Sequence, residues 1–282
     1  MVSLQTCLRP AIHNDQNKIA NLIYFEPQVH RHLDWRSPLD WLGTPEYWVL
    51  EHGTTISAVL ACPPDPPGIA WIRLFGHDQS IHSEQAWQTL WACAREQGVG
   101  KEDNLAVAIT MQRWFGEILQ NSGFSLTQKI IVLDYNLAQP PHPWKTTTIP
   151  IRLMNEKDLP QVAALDAASF LPIWQNSQLS LEMAFTQAGL ATVMEEDGQL
   201  VGYQISTSSP FGIHLARLAV RPSHQGCGLG MALVQDLIRY ASQHTLGRIT
   251  VNTQDDNMPS LSLYKKLGFR MTGEQYPVYV FT

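Results

Sequence analysis

The stretch Leu218 to Gly230, LAVRPSHQGCGLG, with the run Met231 to His244 behind it, decides how this chain is read. Leu215 to Val220 is apolar and strand-like, and Pro222 ends it. Glycines at alternate positions, Gly226, Gly228 and Gly230, then lead into a run with helical apolar spacing. A strand, a glycine loop and a helix start together make an anion cradle, because the first N–H groups of a helix lack internal partners and carry the positive end of the macrodipole. Glycine lets the main chain turn towards bound oxygens with no Cβ in the way. The spacing is not G-x-G-x-x-G and no Lys-Ser or Lys-Thr pair follows, so neither a dinucleotide fingerprint nor a Walker loop is indicated.

Gln225-x-x-Gly228-x-Gly230, behind a strand carrying Leu218, Ala219 and Val220, resembles the Arg/Gln-x-x-Gly-x-Gly/Ala signature of the GNAT superfamily of acyl-CoA-dependent N-acyltransferases. A second segment lies downstream in the expected order. Arg248 to Thr253 reads as a β-branched buried strand, Asp255 to Asn257 as a turn, and Ser260 to Leu267 as an amphipathic helix ending at Gly268. In it, Asn257, Tyr264, Gly268 and Phe269 are similar to the superfamily's N-x6-Y-x3-G-F block. The resemblance implies an α+β fold, with a mixed, mostly antiparallel sheet flanked by helices. It also implies acetyl-CoA as co-substrate without a metal.

Composition narrows the classes further. The 282 residues are 44% hydrophobic and 16% charged, long enough for two ordinary domains with their own cores. Nineteen basic and 25 acidic residues give a formal charge of -6 with no basic block, which argues against a nucleic-acid partner held by electrostatics. No apolar run approaches a membrane span, and MVSLQTCLRP lacks the features of a secretory signal. Cys7, Cys62, Cys93 and Cys227 lie far apart with no C-x2-C pair, so neither a zinc site nor a disulfide framework is implied, and a cytoplasmic protein with free thiols is expected.

The chain also repeats itself. Leu8-Arg9 answers to Ile151-Arg152, Asp15 to Asp158 and Leu22 to Leu165, all 143 residues apart (151 less 8, 165 less 22), and Gly123-Phe124 answers to Gly268-Phe269. Expected boundaries are a GNAT-like domain over 1–137, a proline-rich linker over 138–150, and a catalytic domain over 151–282. The first half has the superfamily's element order without its chemistry. GHDQSIHSEQ replaces the glycine loop, and Leu119 stands where the second copy has Tyr264. This predicts a degenerate first copy, shaping the acceptor site or a homodimer contact. His30-x-His32 could hold a metal only with a third ligand, which the sequence does not supply nearby. Trp87 and Trp91, four apart on a predicted helix over Ser83 to Glu96, have the spacing of core packing.

Acyl transfer assigns roles. Main-chain N–H groups over Gln225, Gly226, Cys227, Gly228, Leu229 and Gly230 would hold the coenzyme A pyrophosphate, with Cys227 a small residue tolerated beside it. By resemblance, Leu218 and Val220 would pair with the pantetheine arm and help polarise the acyl carbonyl. Tyr264 is the expected general acid for the departing thiolate. Asn257 would cap its helix or touch the coenzyme. In some resembling enzymes a glutamate on the following strand is the base, but Asn252 stands there. In others it precedes the loop, six residues ahead of the Val220 position, where this chain has His214. Glu182, Asp166 or a water relay are alternatives. The acceptor would be a primary amine of a small molecule or protein, met by the segments Phe170 to Ala188 and Gly273 to Tyr279. The rival reading is a non-catalytic acyl-CoA-binding sensor or interaction module.

Overall fold

The computed structural model describes residues 6–101, 103–138 and 147–281. Most of the expected linker, 139–146, lies outside them. The chain divides into two compact units, 1–128 with 276–282, and 129–275. These limits differ from the expected 1–137 and 151–282. The reason is that two long strands, β8 (Ser125–Asn136) and β14 (Arg270–Phe281), each supply residues to both units.

The first unit runs β1 (Thr6–Pro10), α1 (Gln16–Phe25), β2 (Val29–Arg31), β3 (Tyr47–His52), β4 (Thr55–Ala61), β5 (Ile69–Trp71), β6 (Leu74–His77), α2 (Ser83–Glu96), β7 (Leu105–Ile109), α3 (Arg113–Asn121) and the start of β8 (Ser125–Asn136). The second runs from the rest of β8 through β9 (Ile151–Leu153), α4 (Leu159–Ser169), α5 (Gln178–Thr186), β10 (Leu190–Glu196), β11 (Gln199–Ser209), β12 (Gly212–Val220), α6 (Leu229–Gln243), β13 (Arg248–Gln254), α7 (Met258–Leu267) and the first half of β14 (Arg270–Phe281). Each unit is a mixed, mostly antiparallel sheet flanked by helices. Gly273 to Tyr279, expected as a variable loop, is instead ladder: Val278 and Tyr279 pair with Ile109 and Ala108 of β7. The run Ala70 to Phe75 is divided between two strands, β5 and β6. The stretch around His30 contains β2.

Apolar periodicity explains the layers. In α2, Ala86, Trp87, Leu90, Trp91 and Ala94 form one buried stripe. Trp87 and Trp91 stack with centroids 5.4 Å apart in the core of the first unit, as their spacing predicted. In the second unit Ile213, Leu215, Ile249 and Val251 face Val234, Leu237, Tyr264 and Leu267 from the helices.

The repeat is visible in matching corners. Arg9 makes a bidentate pair with Asp15 at 2.7 and 2.9 Å and reaches Glu51, and Asp15 also accepts from the Ile12 N–H. Arg152 does the same with Asp158 at 2.7 and 2.9 Å and with Glu195, and Asp158 accepts from the Asn155 N–H. The helix ends also match. Gly123 and Gly268 both adopt positive φ, at 90° and 94°, and the next N–H, of Phe124 or Phe269, donates back to Leu119 or Tyr264 at 3.0 Å. Leu119 and Tyr264 therefore hold the same position in the same cap.

Register equates the central strands as well. Leu60 pairs with Phe75 as Gln204 pairs with Leu218, and Asp78 N–H donates to Ser57 as Arg221 N–H donates to Val201. Phe75 and His77 thus correspond to Leu218 and Val220. At Phe75 the outward backbone edge is occupied by β2, with His30 opposite Phe75 and Val29 opposite Gly76, and His77 lies one residue past the last pair. Among the described residues no helix is long and apolar enough to cross a membrane.

Arg152 holds the Asp158 carboxyl below its ordinary value of 3.8. A depressed carboxylate contributes its full stability above the ordinary value and loses it as pH falls through the lower folded one. Asp158→Asn is expected to lower stability by about 1 kcal/mol at pH 7, a modest figure because Arg152 is half-exposed, and to flatten the acid decline between about pH 4 and 2. Urea unfolding at pH 7 and pH 3 reads both.

Candidate functional site

The site begins where β12 parts from β13. The two strands run parallel and pair only at Ile213 to Leu215, against Ile249 to Val251. On its other edge β12 stays paired with β11 to Val220, with a bulge at Ala216. The Arg221 N–H to Val201 bond sets the phase, and antiparallel strands alternate. Ala219 therefore spends its backbone on Tyr203, while Leu218 and Val220 turn theirs to the open edge. Ala219, which lies between them in the resembling strand, belongs to the ladder. The Val220 carbonyl already accepts from Gln225 Nε2 at 3.0 Å and from Ser169 Oγ at 3.3 Å, so Gln225 braces the loop from inside.

Beyond Val220 the chain turns through the glycine loop into α6. Gly226 and Gly228 adopt φ of 79° and 89°, and a Cβ at either would meet nothing within 4 Å. Conformation, not crowding, requires these two glycines. Gly230 is different: a Cβ there would stand 3.0 Å from Leu263 of α7, so it permits close packing of α6 on α7. Gly228 is the N-cap of α6 and no side chain caps the helix, so the N–H groups of Leu229, Gly230 and Met231 have no helical acceptor. Cys227 is exposed at the tip, and the Leu229 side chain is core beside Met194 and Leu233.

Asn257 caps α7, its Oδ1 accepting from Ser260 N–H at 3.2 Å. Tyr264 follows Leu263 on that helix and is 4% exposed. Burial pushes its phenol pKa up, so it keeps its proton at neutral pH. His214 sits on the last paired stretch of β12, Nδ1 2.9 Å from Thr250 Oγ1. It also shares a side-chain hydrogen bond with Asn252. The two positions from which a base was expected therefore meet. Burial lowers the imidazole pKa more than the Asn252 bond raises it, and the ring is neutral at pH 7.

Asp166, one of the alternative bases, is not available. Fully buried, it accepts from Tyr203 OH at 2.5 Å, Arg217 Nε at 2.7 Å, Arg217 Nη2 at 2.9 Å and Asn176 N–H at 2.8 Å. Arg217 also donates to the Trp174 carbonyl at 2.6 Å and lies 3.6 Å over the Phe170 ring. This knot ties the segment expected to cover the acceptor to the strand residue beside Leu218. The sequence held a signal for it, since an arginine between Leu215 and Leu218 on a buried strand requires a partner. Glu182 instead pairs with Gln178 on the exposed face of α5. His30 Nε2 meets the Ile72 carbonyl at 3.0 Å and its ring stacks on Phe115, as His32 stacks on Trp71. Among the described residues no group of His, Cys, Asp or Glu could hold a metal.

Residues 159–269 match the acetyltransferase (GNAT) family. The match covers the site just described, from α4 to the start of the strand after α7. Over 127 residues the chain is 25% identical to the putative [ribosomal protein bS18]-alanine N-acetyltransferase of Bacillus subtilis, 45% of this chain and 84% of that protein. It is 34% identical over 91 residues to a mycothiol acetyltransferase of an Arthrobacter species, 30% of this chain but only 28% of that protein. A tandem GNAT protein from the clavulanic acid biosynthesis pathway superposes over 98% of both chains, with a TM-score of 0.66 at 16% identity. The GNAT fold therefore extends over both units, and the sequence match lies in the second.

Asp166→Ala leaves Arg217 buried without its partner and is expected to lower stability by about 3–5 kcal/mol. Asp166→Leu with Arg217→Met, which removes both charges, is expected to recover at least half of that loss in thermal unfolding.

Proposed function

We propose that the second unit is an acetyl-CoA-dependent N-acetyltransferase, moving an acetyl group to the primary amine of a small molecule or a protein. One observation carries this reading: the unclaimed N–H groups at the start of α6 follow in the chain on an open backbone edge at which the Leu218 main chain and the Val220 N–H have no strand beside them. Diphosphate suits the first and an extended amide-bearing arm the second. The amine attacks the thioester carbonyl, whose developing oxyanion is met by main-chain donors at the open edge. The C–S bond breaks, the amine proton passes to neutral His214, directly or through water, and Tyr264 gives its proton to the leaving thiolate. Amide and free coenzyme A result. Gln225, Gly226, Cys227, Gly228, Leu229 and Gly230 bind through the main chain, and Asn257 acts by fixing the helix that carries Tyr264.

The first unit binds no acyl-CoA on this reading. Its counterpart of the open edge is filled at Phe75 by β2, and α2 starts without the glycine loop. That is a stronger reason than missing glycines alone, since a pantetheine arm would have to displace a strand of the same chain. Four free cysteines fit a reducing, cytoplasmic setting.

Calorimetry with acetyl-CoA is expected to give one site per chain, and thiol release across a panel of amines to identify acceptors. Tyr264→Phe is expected to lower kcat by about 10²-fold or more with acetyl-CoA affinity within about twofold of wild type. Binding without thiol release for any amine favours the sensor; absence of heat removes both readings. Because the His214 pKa lies below 6.5, the acid limb of kcat/KM is expected below that pH, and His214→Gln should abolish the limb along with most of the rate.

A further inference from the structure

The counterpart of the cradle in the first unit is not empty chemistry. Where the second unit has Val220 and the start of α6, the first has His77 and Ser83, the first residue of α2. His77 Nδ1 lies 2.8 Å from the Asp78 main-chain carbonyl and Nε2 lies 2.8 Å from Ser83 Oγ. A carbonyl only accepts, so Nδ1 carries the ring proton of the neutral imidazole, leaving the Nε2 lone pair for the Ser83 hydroxyl. Gln28 Oε1, 3.0 Å from the same hydroxyl, is a second acceptor for its one proton, which in the reactive arrangement turns to the nearer His77 Nε2. A nucleophile, a base within reach and a group that fixes the base's tautomer are the elements of an activated serine.

The surroundings suit it. His77 is 5% exposed and held, whereas Ser83 is only part-buried. Both line a cavity of about 370 Å³. No side chain caps α2, so the N–H groups of Glu84 and Gln85 have no acceptor inside the helix and stand beside Ser83, where an oxyanion would form. Glu26 also lines the cavity, and its Oε2 is buried with no hydrogen-bond partner. With Asp78 and Glu84 on the same wall, the cavity favours a substrate that is neutral or cationic.

We propose that Ser83 and His77 form a second reactive site, independent of the acyl-CoA site, that takes acyl groups from uncharged or cationic esters. Ser83 Oγ attacks the ester carbonyl as its proton moves to His77 Nε2. The bond to the alcohol breaks, the alkoxide takes that proton, and water releases the acid from acyl-Ser83 by the same route. The test uses the full chain with p-nitrophenyl acetate and a fluorophosphonate probe. Expected are one phosphonyl group per chain, mapped to Ser83 by peptide mass, and p-nitrophenol release above background. Ser83→Ala should lose both and His77→Gln should slow both at least tenfold, while Tyr264→Phe leaves both unchanged. No adduct on the wild-type chain, or an adduct that persists in Ser83→Ala, overturns the proposal, and the wild-type result decides even if a variant fails to fold.

Discussion

The open edge of β12 is the constraint on which the second unit turns. Buried backbone N–H and C=O groups require partners, and a central strand ordinarily finds them on both sides. Here β11 supplies one side along the whole strand, while β13 supplies the other for three residues and then departs. The bulge at Ala216 gives the local twist at which the strands separate. What remains is the Leu218 main chain and the Val220 N–H with no strand beside them, followed by the uncapped N-terminus of α6. On the proposed function both deficits would be met by a long ligand that is amide-like along one part and anionic at its end.

The first unit meets the same constraint from its own chain. The three residues of β2 pair with the edge that is open in the second unit, and the loop to α2 is shorter and lacks glycine. Around that helix start lie a serine, a histidine and carboxylates. One scaffold thus gives two electrostatic environments. The second unit's cradle is formed by main-chain donors, and the first unit's by side chains of mixed and acidic character. The conserved architecture of the corners, with Arg9 to Asp15 and Arg152 to Asp158, shows that the repeat persists in what holds the fold while it diverges in what faces a ligand.

On the other face of the second unit's sheet, the knot of Asp166, Arg217, Tyr203 and Phe170 does a different task. Four donors on one buried carboxylate make the ion pair expensive to break, and the donors come from two strands and an irregular segment. The stretch between α4 and α5, whose regular structure is one 3-10 turn at Pro172–Trp174, is thereby held by side chains. On the proposed function the acyl side of the site would be set by backbone pairing and the acceptor side by a buried charge network, so that changes at the acceptor side would leave the acyl side intact.

How far the sequence reached follows from the range of the interactions involved. The glycine loop, the helices with a clear apolar stripe, the Asn257 cap, the Gly268 end of α7 and the Trp87–Trp91 stack are all made by residues within one or two turns of each other, and spacing alone reveals them. The repeat was legible for the same reason, because its corners are short motifs. Three things depended on partners far along the chain. Asp166 looked like a spare carboxylate until its partner 51 residues away was in place. The fate of β14 rested on β7 in the other half, and the filling of the first unit's edge rested on a strand only three residues long. His214 and Asn252, weighed from sequence as alternatives, became neighbours only when a parallel pairing brought β12 beside β13. Local geometry is written in local sequence, but which polar groups are left without a partner is settled only when every strand has chosen its neighbours.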